Sequence, residues 1–476
     1  MAVAAAAMPL AGIGESGALR PAPRPALLER MNDGPEVIAI VHWGLNTYTD
    51  KEWGYGDVDP SLLNPSAFAA DAIVAAAKAG GIGGLVIVAK HHDGFCLWPT
   101  KTTDYNVTKT PFWKGTGNGE RGRDYVKEME QACRRHGLKF GVYVSPWDRH
   151  DADYASGKYV EKYHAQIKEL LGGDYGEVFE MWFDGANGGG GWYGGAKDKR
   201  TIGKDYYRFG EVFRFVRELQ PKCCIFAEDN GSDFRYPGNE RGMLSPDSRA
   251  TVVSCGGLEN RKFLNPEYPK QKNAGSPDGD RFRVCEADFP LRKGWFWHER
   301  ENGTTKSAAY LAKIYVNTVG NGGTMNIGLA PDAEGRIAEE DRKALAGFKT
   351  IRDMLFANEV TPGVPSPTAG GVSSKFNVVV MHEDISDGER IDGWRLLHEG
   401  RTILSGKSIG AKRIRLLREP CSADKATLET SGGDAALRLY FATPPLVNAI
   451  LDADADSGET DTARWMENGL DKNRKE

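Results

Sequence analysis

From Val37 onward the chain repeats one pattern. A short β-branched run ends in polar, aromatic or Gly-rich residues, and an amphipathic helical stretch usually follows. The runs are VIAIVHWG (37–44), LVIVAKHHDGF (85–95), LKFGVYVSPWD (138–148), EVFEMWFDG (177–185), CCIFAED (223–229), RVCEADF (283–289) and GTMNIGLA (323–330). Helix-like stretches such as AFAADAIVAAAKAGG, DYVKEMEQACRRHG and YVEKYHAQIKELLGGDYG lie between them. This alternation marks βα units around a parallel sheet. The runs are continuously apolar rather than alternating, as strands covered on both faces must be. Seven or eight such strands in about 320 residues predict an irregular (β/α)8, TIM-like barrel rather than an open sheet. The segment 230–280 is rich in Gly, Pro, Asn and Asp and shows no clear helix, so loops are expected to replace a barrel helix there.

The pattern changes after EEDRKALAGFKTIRDMLFAN (339–358). TPGVPSPTAGG (361–371) reads as a linker or turn. The short strands FNVVVMHEDI, GWRLLHEG, RIRLLREP, ATLETSG and ALRLYFAT then predict a C-terminal antiparallel β-sandwich. Four segments result: a leader at 1–34, the barrel at 35–358, the sandwich at 359–452 and a polar tail at 453–476. The sandwich is expected to buttress the barrel, since Trp394 and Tyr440 are its main candidates for stacking on a sugar. The start, MAVAAAAMPLAGIG, is apolar but has no basic n-region. It reads either as the remnant of a secretion signal or as a plain leader.

Composition removes several function classes. Lys and Arg number 61 against 66 Asp and Glu, a net charge of −5. That leaves no basic excess for phosphate contacts, so a nucleic-acid partner is not expected. No apolar stretch reaches the roughly 18 residues of a membrane span. The seven Cys are dispersed without a CxxC pair, which signals neither zinc nor redox chemistry. GxSxG and P-loop motifs are absent, and GGIGGLV (80–86) precedes its strand where a phosphate loop would follow it. The 58 Gly and 11 Trp fit a loop-built site whose flat aromatic faces suit sugar rings.

The polar residues cluster just after the strands, and in a barrel all those ends share one face, where such enzymes work. His42, His91, His92, Asp93, Tyr143, Trp147, Asp148, Asp184 and Glu286 are placed in this way. Asp184 ends a buried run beside Gly residues, which suits a nucleophile or base and equally an Asp–Gly turn. Glu286 lies among apolar residues, where a carboxyl gains proton affinity and can act as a general acid; a salt bridge with Arg283 or Arg292 is the other reading. Glu228, Glu299 and Glu52 are competing acids. His42, Glu52 and Trp53 form a set suited to hydroxyls and a C–H face. Adjacent His91 and His92 on a strand point to opposite faces, which favours hydrogen bonding to a ligand over shared metal ligation. A metal-dependent hydrolase using His91, His92 and Asp93, or a pocket that binds sugar without turnover, are the competing functions.

Taken in order, HWGLNTY (42–48), EWGYG (52–56), KHHDGFCLWPT (90–100), YVSPWD (143–148), WFDGAN (182–187) and NIGLAPDAEGRI (326–337) resemble the family 29 α-L-fucosidases over roughly residues 35–355. The resemblance implies a retaining exo-glycosidase that needs no cofactor or metal and acts on a fucosylated oligosaccharide or glycoconjugate. It makes Asp184, in the WFDG motif, the nucleophile. His42, Glu52, Trp53, His91, His92 and Tyr143 become fucose-binding residues, Trp182 a pocket wall and Trp297 of the GWFWH run a further contact. CEADFPLRKGWFWH (285–298) and GANGGGGWYGG (185–195) are similar to a subgroup that cuts α-1,3 and α-1,4 fucosyl branches of Lewis type, and that likeness makes Glu286 the acid/base. Where the subgroup reads nearer to CDxSIRPGW, this chain has ADFPLRKGW. Glycan substrates lie mainly outside cells, so export to the periplasm or medium is expected.

Overall fold

The computed structural model describes residues 8–9, 20–114, 122–185, 192–193, 198–203, 205–254, 268–361 and 375–454. Most of the Gly-rich run at 185–195, the 361–371 linker, the polar tail and the start of the leader lie outside them.

Eight parallel strands close into a barrel: β1 (Val37–Val41), β2 (Gly84–Lys90), β3 (Lys139–Val144), β4 (Glu180–Trp182), β5 (Cys224–Phe226), β6 (Phe234–Arg235), β7 (Val284–Pro290) and β8 (Thr324–Leu329). β8 pairs with β1 to complete the ring. Residues pointing inward, among them Ile38, Ile40, Val86, Val88, Tyr143, Trp182, Phe226 and Val284, fill the bore. Those pointing outward, such as Val41, Ile87, Val142 and Met325, pack against the helices. Each such side chain contributes about 1.5–3 kcal/mol by leaving water, which is why both faces of the strands are apolar.

The helix at Pro25–Asp33 (α1) begins with Pro at its first turn and places Leu27 in the bore cluster. The barrel's packing therefore starts about ten residues before the boundary at 35 read from the sequence. α2 (Ala70–Ala79), α3 (Tyr125–His136), α4 (Gly157–Leu171) and α5 (Phe209–Leu219) follow β1 to β4 in turn. In α3, Asp124 caps the Lys127 N–H at 3.0 Å, and Gly137 ends the helix at φ +72°, a conformation that favours glycine. This regularity then breaks. A short loop alone joins β5 to β6, and among the described residues β6 is followed not by a long barrel helix but by irregular chain, a two-residue antiparallel pair (Thr251–Val252 with Arg281–Phe282) and the seven-residue helix Tyr268–Ala274, which the composition of 230–280 did not suggest. α6 (Ala308–Thr318) and α7 (Glu339–Leu355) follow β7 and β8.

The C-terminal region is a two-sheet sandwich. Strands β9 (Glu359–Val360), β10 (Lys375–Glu383), β11 (Gly393–His398), β12 (Arg401–Gly406), β13 (Arg413–Ser422), β14 (Ala426–Ser431) and β15 (Ala435–Tyr440) build it. One sheet runs β9-β15-β10-β13, and the other contains β14-β11-β12 with Met8–Pro9 along β14. Trp394, at 1% exposure, lies in the core between the sheets. A helix that the sequence did not suggest, α8 (Pro444–Asp452), ends the described chain. Among the described residues no helix is long and apolar enough to cross a membrane.

Candidate active site

The C-terminal ends of the strands converge on one pocket. Asp184 stands two residues beyond β4, with its side chain 26% exposed. Its Oδ2 accepts a 2.9 Å hydrogen bond from the Tyr143 hydroxyl, and His92 Nε2 lies 3.7 Å from the same oxygen. His92 is fixed from behind by Ser145 Oγ, 2.7 Å from Nδ1. The indole of Trp53 stands edge-on to His92 at 5.5 Å. Trp182 is sandwiched between Phe226 at 3.9 Å and Tyr143 at 5.2 Å, its neighbours on the flanking strands, so its ring faces are covered and only its edge is left to border the pocket.

His42, directly after β1, packs against His91, Tyr143, Trp295 and Phe296, with centroids 5.2–6.1 Å apart. The His91 and His92 rings lie only 4.1 Å apart and both border the same pocket. The expectation that they diverge fails because β2 ends at Lys90: they occupy the turn after it, where strand alternation no longer applies. Burial holds all three imidazoles uncharged. It pushes His42 down to about 3, His91 well below its ordinary value, and His92 to about 4 despite the Asp184 charge. A neutral imidazole both donates and accepts, which suits sugar hydroxyls. Among the described residues no three His, Cys, Asp or Glu gather as a metal site.

Glu286 is not at the mouth. It faces inward from β7, is 0% exposed, and accepts from Trp182 Nε1 at 3.0 Å, Asn326 Nδ2 at 2.9 Å and Thr324 Oγ1 at 3.2 Å. Burial raises its proton affinity, as the sequence reading held. The site of that burial is the bore, beside the equally buried Glu180, below Trp182. The Arg283 and Arg292 partners offered as the other reading are engaged elsewhere: Arg283 with Ser232 and backbone carbonyls, Arg292 with Asp341 and Glu340.

A different carboxyl occupies the mouth. Glu240 lies in the irregular segment after β6, half-buried, and accepts from Trp295 Nε1 at 3.3 Å. Burial pushes its pKa up to about 7; the Trp295 bond opposes this, while the negative charges of Asp184 and Glu52 add to it. Sequence reasoning passed over it because no apolar strand leads into it. The available signal was a Glu flanked by two glycines (GNERG, 238–242) in the loop that replaces a barrel helix. Of the competing acids, Glu228 pairs with Lys272 at 3.1 Å, and Glu299 lies on an outer cleft.

Trp297 also departs from expectation: it lines that outer cleft with Tyr48, Asp50 and Arg300, while Trp295 and Phe296 face the pocket. Glu52 sets this orientation. Its Oε2 accepts the N–H groups of Trp295 (3.2 Å) and Phe296 (3.4 Å), and its Oε1 meets His298 Nε2 at 2.6 Å. The other ring nitrogen of His298 lies 2.5 Å from Asp50. These bonds pin the GWFWH run so that position 297 turns outward.

A closed barrel, an aromatic-walled pocket, neutral imidazoles and two carboxyls of unlike surroundings define a sugar-processing barrel enzyme. Comparison with known proteins carries this further. The family model described as alpha-L-fucosidase matches residues 28–350. The putative alpha-L-fucosidase 1 of Oryza sativa subsp. japonica is 36% identical over 429 residues, covering 80% of this chain and 77% of the rice protein. Alpha-L-fucosidase 1 of Arabidopsis thaliana is 33% identical over 420 residues, covering 79% and 78%. A solved glycoside hydrolase 29 family member from an unknown rumen bacterium superposes with TM-score 0.79 at 32% identity, over 93% of this chain and 80% of that one. The chain belongs to the alpha-L-fucosidase family and is a glycoside hydrolase.

Proposed function

We propose that the enzyme is a retaining exo-α-L-fucosidase in which Asp184 is the nucleophile and Glu240 the acid/base, acting on terminal α-1,3- or α-1,4-linked fucose. The observation that carries the reading is the contrast between two mouth carboxyls: Asp184 accepts a hydroxyl hydrogen bond and is open to the pocket, while Glu240 holds its proton up to about pH 7. Glycosidases divide nucleophile and acid between carboxyls in this way.

Asp184 attacks the anomeric carbon as the bond to the glycosidic oxygen breaks, and Glu240 gives that oxygen its proton. The result is a fucosyl ester of Asp184 and a free alcohol. Glu240, now a carboxylate, takes a proton from water; the resulting oxygen nucleophile displaces Asp184 and regenerates both groups. His42, His91, His92 and Trp53 hold the sugar, and the edge of Trp182 borders it. Retention needs the two carboxyls about 5–5.5 Å apart around the bound sugar.

The linkage preference rests on the likeness of 185–195 and 285–298 to the α-1,3/1,4-cutting subgroup. A panel of α-1,2-, α-1,3-, α-1,4- and α-1,6-fucosylated oligosaccharides, with the anomer of released fucose followed by proton NMR, tests both parts. Fucose released first as the α anomer from the 1,3 and 1,4 linkages supports the reading. First release of the β anomer, or a preference for 1,2 or 1,6 linkages, overturns the corresponding part. Export, the other expectation, is tested by locating the protein in culture fractions.

A further inference from the structure

Asp288 is a buried acid that the proposed mechanism leaves unused. β7 alternates Val284, Glu286 and Asp288 on its inward face: Val284 belongs to the bore cluster and Glu286 bonds across the bore to Trp182. Asp288 therefore points inward as well, two residues or about 6.6 Å nearer the mouth than Glu286. It is 5% exposed, and its Oδ1 is sealed from solvent with no hydrogen-bond partner among the described residues. The charged groups that bear on it are Glu240, Glu286 and Asp184, and Tyr236 on the neighbouring segment senses it in turn. Asp288 thus lies within electrostatic reach of both mouth carboxyls. Its register partner on β8, Asn326, gives its amide N–H to Glu286 and keeps a second buried, unpartnered oxygen.

We propose that Asp288 is a further substrate-binding residue, hydrogen-bonded to a ring hydroxyl of the fucose held between Asp184 and Glu240. The assignment rests on the fucosidase reading. Its chemistry follows from the neighbours. Burial and the surrounding negative charge raise the proton affinity of Asp288, which favours its protonated, donating form. A ring hydroxyl oxygen can accept such a proton.

Isothermal titration of wild type, Asp288→Ala and Asp288→Asn tests this, using L-fucose and three analogues that each lack one hydroxyl, at C2, C3 or C4. Asp288→Ala is expected to bind fucose about tenfold more weakly, the loss typical of one hydrogen bond to a buried polar group. One analogue is expected to bind wild type about tenfold more weakly and to bind Asp288→Ala no worse than wild type. Asp288→Asn, which keeps a donor and the shape, is expected to recover most of the affinity for fucose. Unchanged fucose binding by Asp288→Ala, or equal losses for fucose and all three analogues, overturns the assignment and leaves the fucosidase reading standing. Wild type that binds no fucose overturns both.

Discussion

The bore and the mouth of the barrel each hold carboxyls with raised proton affinity, and the two sets are built differently. Glu286 in the bore receives three hydrogen bonds, from Trp182, Asn326 and Thr324, and no solvent reaches it. Glu240 at the mouth accepts from Trp295 and remains half-buried, within reach of the Asp184 charge. A raised pKa alone therefore does not identify an acid catalyst. The group must also lie where a substrate oxygen can reach it. In the bore the same property braces the wall, since Glu286 anchors the indole of Trp182 through Nε1.

The largest expected effect comes from Asp184. Asp184→Ala removes the nucleophile and is expected to lower kcat on the order of 10⁴-fold or more, with the melting temperature little changed. Retention of more than a tenth of the activity removes Asp184 from the chemistry.

Glu240→Gln comes next. Loss of general acid catalysis is expected to cost about 10²–10⁴-fold on natural glycosides and far less on aryl fucosides whose leaving groups need no proton. With Glu240 near 7, wild-type kcat/KM on natural glycosides is expected to fall as pH rises through about 7, and Glu240→Gln to abolish that limb. An unchanged alkaline limb in the variant assigns the acid elsewhere.

Glu286→Gln sharpens the contrast, because activity is expected to stay within about fivefold of wild type while stability changes its pH dependence. Burial raises Glu286 and Glu180 above the ordinary 4.5, so between that value and the folded-state value the folded chain binds more protons than the unfolded one. Their contribution to stability is thus greatest at low pH and falls as pH rises above 4.5. Melting curves of Glu286→Gln should depend less steeply on pH over that range; an identical slope contradicts the placement. The smallest effect is expected at Trp297→Ala, within about twofold of wild-type kcat/KM, against roughly tenfold or more for Trp295→Ala, which removes a pocket wall and the Glu240 partner.

Legibility in the sequence followed the same division. His42, His91, His92, Tyr143 and Asp184 were readable because each ends or closely follows an apolar run, and the run's phase carries a residue to the shared face of the barrel. Glu286 was read both as part of a buried strand and as one of the residues just after the strands, and the structure bears out only the first. What periodicity could not supply was its level, because the third and seventh residues of β7 belong to the same inward or outward series while lying at different depths. Glu240 had no periodic context, and its surroundings are completed by Trp295, 55 residues later. The orientation of Trp297 depends on Glu52, bonded to the backbone at Trp295 across 243 residues of chain. β6 escaped notice for a simpler reason: two residues, Phe234–Arg235, carry no pattern. α1 was set apart with the leader because what makes it part of the barrel is a set of long-range contacts, Leu27, Leu28 and Met31 with the bore cluster and Arg30 over Phe179 and Phe234, that no local pattern announces.

The most direct test of the mouth-against-bore assignment is azide rescue of Glu240→Ala and Glu286→Ala on an activated aryl fucoside. With the acid/base gone, the fucosyl ester forms but awaits a nucleophile that needs no deprotonation, and azide is one. The account predicts that azide accelerates Glu240→Ala and yields fucosyl azide with the anomeric configuration of the substrate, while Glu286→Ala shows neither effect. Acceleration and that same product from Glu286→Ala, with none from Glu240→Ala, contradicts it.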